Sequence, residues 1–230
     1  MKPRRSNRKN QALTLIEVLV TIFSIIVIFI FIILPWLARA RIHNGPNCVS
    51  NLKEIGLACQ IWAGDHNDKF PWQVSTPNVG TMELAGGKNA WINFFVMSNE
   101  LSTPKILICP EDKQHAYATN FTSGFSDANI SYFVGLNAGK NHPQEVLSGD
   151  DNFLLNGSPI KSGLFEVTSN TPFAWDDTRH FDVRKNGWFS KTKIGYGNLL
   201  MADGSVQIIY QDGLRQAFQQ TGVTNRLAIP

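Results

Sequence analysis

The side chains best equipped for chemistry lie in four places. His180, with Asp176, Asp177 and Asp203, offers the makings of an acid/base pair or a metal cluster. Asp65-His66-Asn67-Asp68 places carboxylate and amide oxygens side by side. Asp65, Asn67 and Asp68 are therefore weak candidate ligands for calcium, a hard cation, although the EF-hand spacing is absent and a helix end rich in turn-forming residues is the better explanation. Asp150-Asp151 is a second, weaker acidic pair. The fourth place is Glu17, an ionisable residue inside an apolar run. No G-x-S-x-G, H-E-x-x-H, P-loop or paired-cysteine zinc spacing occurs, so no catalytic residue is assigned and an enzyme is not expected.

Three cysteines are compatible with one disulfide and one spare thiol. Cys48 and Cys59 on one helix would stand about 16 Å apart, too far to pair with each other. Cys109 is the one partner left for either, and Cys48 with Cys109 is the candidate bridge.

Glu17 needs an element to hold it. From Leu13 to Leu34 the chain reads LTLIEVLVTIFSIIVIFIFIIL. As a helix this run would measure about 33 Å against a bilayer core of about 30 Å, which predicts a membrane-spanning helix over 13–46 and sets aside a soluble cytoplasmic protein. Lys2, Arg4, Arg5, Arg8 and Lys9 precede it with no acidic residue among them. Basic residues stay on the cytoplasmic side, so the expected placement is single-pass in the inner membrane, N-terminus inside and the C-terminal domain periplasmic or extracytoplasmic. Without those five residues the chain has 16 basic against 18 acidic side chains, which removes the case for nucleic acid as a partner. A secretory signal peptide cut at Ala38-Arg39-Ala40 would need a far shorter apolar stretch.

A charge in an apolar span costs about 2.5 kcal/mol or more unless paired. The sequence around it, Ala12-Leu13-Thr14-Leu15-Ile16-Glu17-Val18-Leu19-Val20 behind a basic leader, resembles the processing signal of type IV prepilins and type II secretion pseudopilins. Ala12 stands where that family usually has glycine, and Leu13 where it has phenylalanine. The resemblance implies a leader over 1–12, cleavage by a prepilin peptidase between Ala12 and Leu13, N-methylation of Leu13, and pairing of the Leu13 amine with Glu17 of a neighbouring subunit. It also implies an assembly ATPase, its platform protein and other pilin-like subunits as partners, with the membrane as the place of storage.

Further on, Cys48-Val49-Ser50-Asn51-Leu52-Lys53-Glu54-Ile55-Gly56-Leu57-Ala58, Cys109-Pro110-Glu111-Asp112, Ser131-Tyr132, Ala174-Trp175-Asp176 with His180, and Ala202-Asp203-Gly204-Ser205-Val206 are similar to landmarks of pilin-like proteins abundant in Planctomycetes and Verrucomicrobia. There a histidine precedes Asp-Gly by nine residues in a processing-associated segment. Here 22 residues separate His180 from Asp203, which implies an insertion around Asp182 to Tyr196.

The elements expected to carry these residues make an α+β, pilin-like fold: a long N-terminal spanning helix, then a helix packed on a mainly antiparallel sheet within a domain over 47–230. Cys48, Leu52, Ile55, Cys59 and Trp62 recur on one face, which predicts a helix from Asn47 to about Ala63. Pro35 and Asn44-Gly45-Pro46 are breakers, so the long helix is expected to kink or end between them. Strands are expected at Lys105–Cys109, Ile130–Leu136, Gly163–Val167, Pro172–Trp175, Gly197–Ala202 and Val206–Tyr210, with Asp203-Gly204 as a hairpin turn. Asn137 to Ser162, rich in Gly, Asn, Asp and Pro, predicts loop. Most tryptophans should be core, with Trp188 exposed. The expected role is a filament subunit, without a cofactor unless calcium binds. The alternative is an anchored binding module or hydrolase that never polymerises and uses His180, Asp203 and the aromatic residues.

Overall fold

The computed structural model describes residues 14–39, 45–85, 87, 89–168, 170–185, 191–219 and 224–230, with the side chains of the first helix described through residue 30. The chain divides into two units, Met1–His43 and Asn44–Pro230.

In the first unit, helix α1 spans Leu15–Arg39, so the helical path continues through Pro35. Thr14 and Glu17 start it as a reciprocal cap. The Thr14 amide and Oγ1 donate to Glu17 Oε2 at 2.8 and 2.9 Å, and the Glu17 amide donates back to Thr14 Oγ1 at 3.4 Å. Among the described residues no helix is long and apolar enough to cross a membrane. That finding corrects the membrane-spanning helix over 13–46, the single-pass character and the inner-membrane placement. Ala12 and Leu13 lie outside the described residues, as do the leader and Trp188.

The second unit is α+β. Helix α2 (Gly45–Asp65) is followed by two short helices, α3 (Trp91–Phe95) and α4 (Ser98–Leu101). Then come strands β1 (Tyr132–Gly135), β2 (Val146–Asp150), β3 (Phe153–Leu155), β4 (Ser158–Pro159), β5 (Gly163–Val167), β6 (Phe173–Trp175), β7 (Phe181–Lys185), β8 (Lys191–Met201) and β9 (Val206–Tyr210). Helix α5 (Gln211–Gln219) and strand β10 (Asn225–Ile229) complete it. Seven strands pair in the order β5-β10-β1-β2-β8-β7, with β9 also on β8, and every ladder is antiparallel. A smaller sheet has the order β4-β3-β6.

Both faces of the large sheet are covered, because adjacent strand residues point to opposite sides. Tyr132, Val134, Leu147, Leu200 and Ala228 join Cys48, Leu52, Ile55 and Trp62 of α2 in one core. Phe133, Val146, Leu199, Met201 and Leu227 join Phe153, Trp175, Leu214 and Phe218 in the other. Helix α2 is fixed at its ends of contact by Asn51 Nδ2 donating to the Ile108 carbonyl (2.9 Å) and Gln60 Nε2 to the Ala202 carbonyl (2.7 Å). Gly197 is required on β8: a Cβ there would stand 2.4 Å from the Trp175 ring.

Several expectations change. Residues 105–109 do not form a strand; Pro104–Leu107 is a 3-10 turn, which Pro104 favours as its first residue. The tract Asn137 to Ser162 contains β2 and β3, and β2 lies between β1 and β8 within the sheet. Within the stretch read as an insertion, Phe181–Lys185 pairs antiparallel with the first half of β8. Asp203-Gly204 does form the β8–β9 turn, with Gly204 at φ +85°.

Candidate functional site

Two polar clusters meet where α2, the segment after it and the large sheet come together. They share the adjacent pairs Asp150-Asp151 and Arg179-His180, one member of each pair going to each cluster.

The first cluster is ionic. Arg179, only 8% exposed, donates from Nη1 to the Ser131 carbonyl (3.1 Å) and Asp151 Oδ1 (2.5 Å), and from Nη2 to Asp112 Oδ2 (2.6 Å). His115 Nδ1 lies 2.7 Å from the same Asp112 oxygen, and its Nε2 lies 3.9 Å from Asp151 Oδ2. Asp112 Oδ1 accepts from the Gln114 amide at 2.7 Å, closing the turn that follows Cys109-Pro110. Burial works against ionised Asp112, but the His115 hydrogen bond and the Arg179 charge hold its carboxyl well below the usual range. For His115 burial is likewise outweighed, by Asp112 and Asp151, and its pKa is raised. Asp151 goes up because burial dominates over Arg179 and His115. A cavity of about 100 Å³ opens beside Asp151 and Arg179, also lined by Asn152, Asp176 and Thr178.

Asp112, His115 and Asp151 converge closely enough to hold a cation. However, the Arg179 guanidinium already bonds both carboxylates, so an incoming ion would have to displace a buried positive charge. The arrangement ties the Cys109–His115 segment, the end of β2 and the turn before β7 into one body.

The second cluster is centred on sulfur. Cys48 on α2 and Cys109 form a disulfide with Cα atoms 5.0 Å apart, and Cys59 is a buried free thiol that burial alone pushes up to about 12. His180 Nε2 sits 3.4 Å from Cys109 Sγ and 3.4 Å from Asp150 Oδ2. The His180 ring stacks on Tyr196 with centroids 5.3 Å apart. Asp150 Oδ2 accepts from the Asn198 amide and Nδ2 at 2.7 and 2.8 Å, while its Oδ1 is buried with no hydrogen-bond partner.

The other sequence candidates disperse. Asp203 is exposed and caps its own turn by accepting from the Ser205 amide, Asp176 accepts from the Thr178 amide, and Asp177 is exposed, so none joins His180. Asn67 and Asp68 both adopt φ of 56° at the end of α2, and Asp68 pairs with Lys140 Nζ. Asp65 and Asp68 belong to neither converging group of His, Cys, Asp and Glu side chains among the described residues. Trp62, Trp72 and Trp175 are buried. Sequence reasoning passed over Asp112, His115 and Arg179 as site residues; the signal available was two doublets of opposite sign, acidic Asp150-Asp151 and basic Arg179-His180. No protein-family model, curated protein or solved structure matches this chain.

Proposed function

We propose that this protein is a structural subunit of a filament of the type IV pilus or type II secretion pseudopilus kind, made as a precursor that a prepilin peptidase cuts after Ala12 and that is then N-methylated at Leu13. One observation carries the reading. From Thr14 to Ile30 every side chain except that of Val27 is exposed, and twelve of those sixteen are large and apolar. A helix apolar around its whole circumference has no solvated face and is stable only inside other apolar material. Packing against the same helix of other subunits supplies it.

Glu17 gives such packing a register. Its carboxylate is held by Thr14 at the first turn, one turn from the Leu13 amine that cleavage would free. In an assembled filament the amine of one subunit neutralises the Glu17 of its neighbour, and a mispaired register leaves both charges unpaired in an apolar core. The α+β unit forms the outside. Within it Arg179 ties Asp112 and Asp151 together, a bracing that suits a mechanical role. The assembly ATPase, its platform protein and other pilin-like subunits are the partners of this reading.

The test is the mass and N-terminal sequence of the protein recovered from the cells that make it. A chain beginning at methylated Leu13 is expected. A chain beginning at Arg41, or an intact Met1, would overturn the proposal.

A further inference from the structure

We propose that, once the Cys48–Cys109 bond is reduced, Cys48, Cys109, His180 and Asp150 form a tetrahedral zinc site. The donor set is one that zinc favours, two thiolates, an imidazole nitrogen and a carboxylate oxygen. All four residues are at most 2% exposed. The two sulfurs and His180 already lie within 4.8 Å of one another.

The distances fit a metal that is not a disulfide's neighbour by accident of packing. With Zn–S about 2.3 Å and Zn–N or Zn–O about 2.0 to 2.1 Å, the edges of a tetrahedron are about 3.5 Å from sulfur to nitrogen and about 3.3 Å from nitrogen to oxygen. His180 Nε2 stands 3.4 Å from Cys109 Sγ and 3.4 Å from Asp150 Oδ2. The Sγ–Nε2 edge of the coordination shell therefore pre-exists in the oxidised protein with the Asp150 carboxylate beside it; the two sulfurs must move apart, and the carboxylate must close on them through its unpartnered Oδ1.

Asp150 adds an independent pointer. A buried carboxylate oxygen without a partner is costly, and Oδ1 of Asp150 is one. The Asn198 amide and side chain hold the same carboxylate in place through Oδ2, as hydrogen-bonding supports do around bound metals. The cluster of Asp112, His115 and Asp151 does not compete, because Arg179 is bonded to both of its carboxylates.

The chemistry balances with a dithiol as reductant. The dithiol breaks the Sγ–Sγ bond and closes to its own cyclic disulfide, leaving Cys48 and Cys109 as thiols. Zinc then releases the two thiol protons to solvent and binds both thiolates. Disulfide and zinc are alternative fastenings between α2 and the Cys109 segment, chosen by the redox state in which the chain folds.

The test uses the full chain, reduced with a dithiol, freed of it without oxygen, and titrated with Co²⁺ as a spectroscopic stand-in for zinc. The expected result is one equivalent bound, with tetrahedral d–d and thiolate charge-transfer bands that zinc abolishes and that the oxidised chain never shows. Asp150→Asn and His180→Ala should each weaken binding by about tenfold or more, whereas Cys59→Ser should leave it unchanged. A reduced chain with native circular dichroism and no cobalt bands would overturn the proposal. So would bands that depend on Cys59, or that keep their affinity in the Asp150 and His180 variants.

Discussion

Helices α1 and α2 have 25 and 21 residues and use their apolar side chains in opposite ways. Along α2 they form one stripe, and Cys48, Leu52 and Ile55 are fully buried within the chain's own fold. Along α1 they surround the helix, leaving Leu15 82% and Phe23 69% exposed. A stripe carries the address of its partner, a sheet of the same chain. A cylinder carries no direction, and the proposed filament supplies its partners from other chains.

The largest effect that sharpens this contrast is in α2. Trp62→Ala should lower stability by about 3–5 kcal/mol in denaturant unfolding, since a fully buried ring leaves a cavity. Phe23→Ala in α1 should leave the unfolding of the α+β unit unchanged. Equal losses in the two variants would erase the distinction between the helices.

Next in size is the ionic cluster that anchors the segment under α2. Arg179→Met should cost about 3 kcal/mol, because it leaves Asp112 and Asp151 buried without their cation. A neutral outcome would show that water reaches these carboxylates.

A smaller effect concerns pH. The raised pKa of His115 means that its contribution is fully present below the unfolded value of about 6.5 and is lost as pH rises through the folded value. Asp112, whose pKa is depressed, contributes above the ordinary carboxylate range and loses that contribution only as pH falls through its lowered value. Asp151 has the opposite sign: its cost grows as pH rises from the ordinary carboxylate range and is complete above its raised value. Wild-type stability should thus decline from pH 6 upward more steeply than that of His115→Gln, as read by unfolding at a series of pH values. Parallel profiles would remove His115 from the account. Smallest of all, Lys140→Ala should change stability by less than about 0.5 kcal/mol, because Asp68 in that pair is 68% exposed.

How much of this was legible in the chain depends on how local the signal is. The α2 stripe, the Asp203-Gly204 turn and strands β5, β6 and β9 follow from spacing within a few residues, and the sequence shows them. The membrane span expected of α1 did not follow, since among the described residues no helix is long and apolar enough to cross a membrane. Strand β2 was hidden in a Gly- and Asp-rich tract because its pairing with β1 and β8 comes from the sheet, which outweighs local propensity. Strand β10 was not foreseen, and it enters between β5 and β1, neither of them adjacent to it in sequence. The candidate site shows the same division. Cys48 and Cys109 could be shortlisted by elimination, but the separation of Asp150 from Asp151 and of His180 from Arg179 into two clusters appears only once distant segments meet.

The central claim is that α1 works between chains, with Glu17 setting the register. Glu17→Ala should therefore leave the unfolding of the α+β unit and the cellular amount of protein unchanged. The decisive measurement is the amount of subunit in the sheared filament fraction of cells making Glu17→Ala compared with wild type. The account predicts that filaments are lost while the protein persists. Entry of Glu17→Ala into filaments at the wild-type level would contradict it.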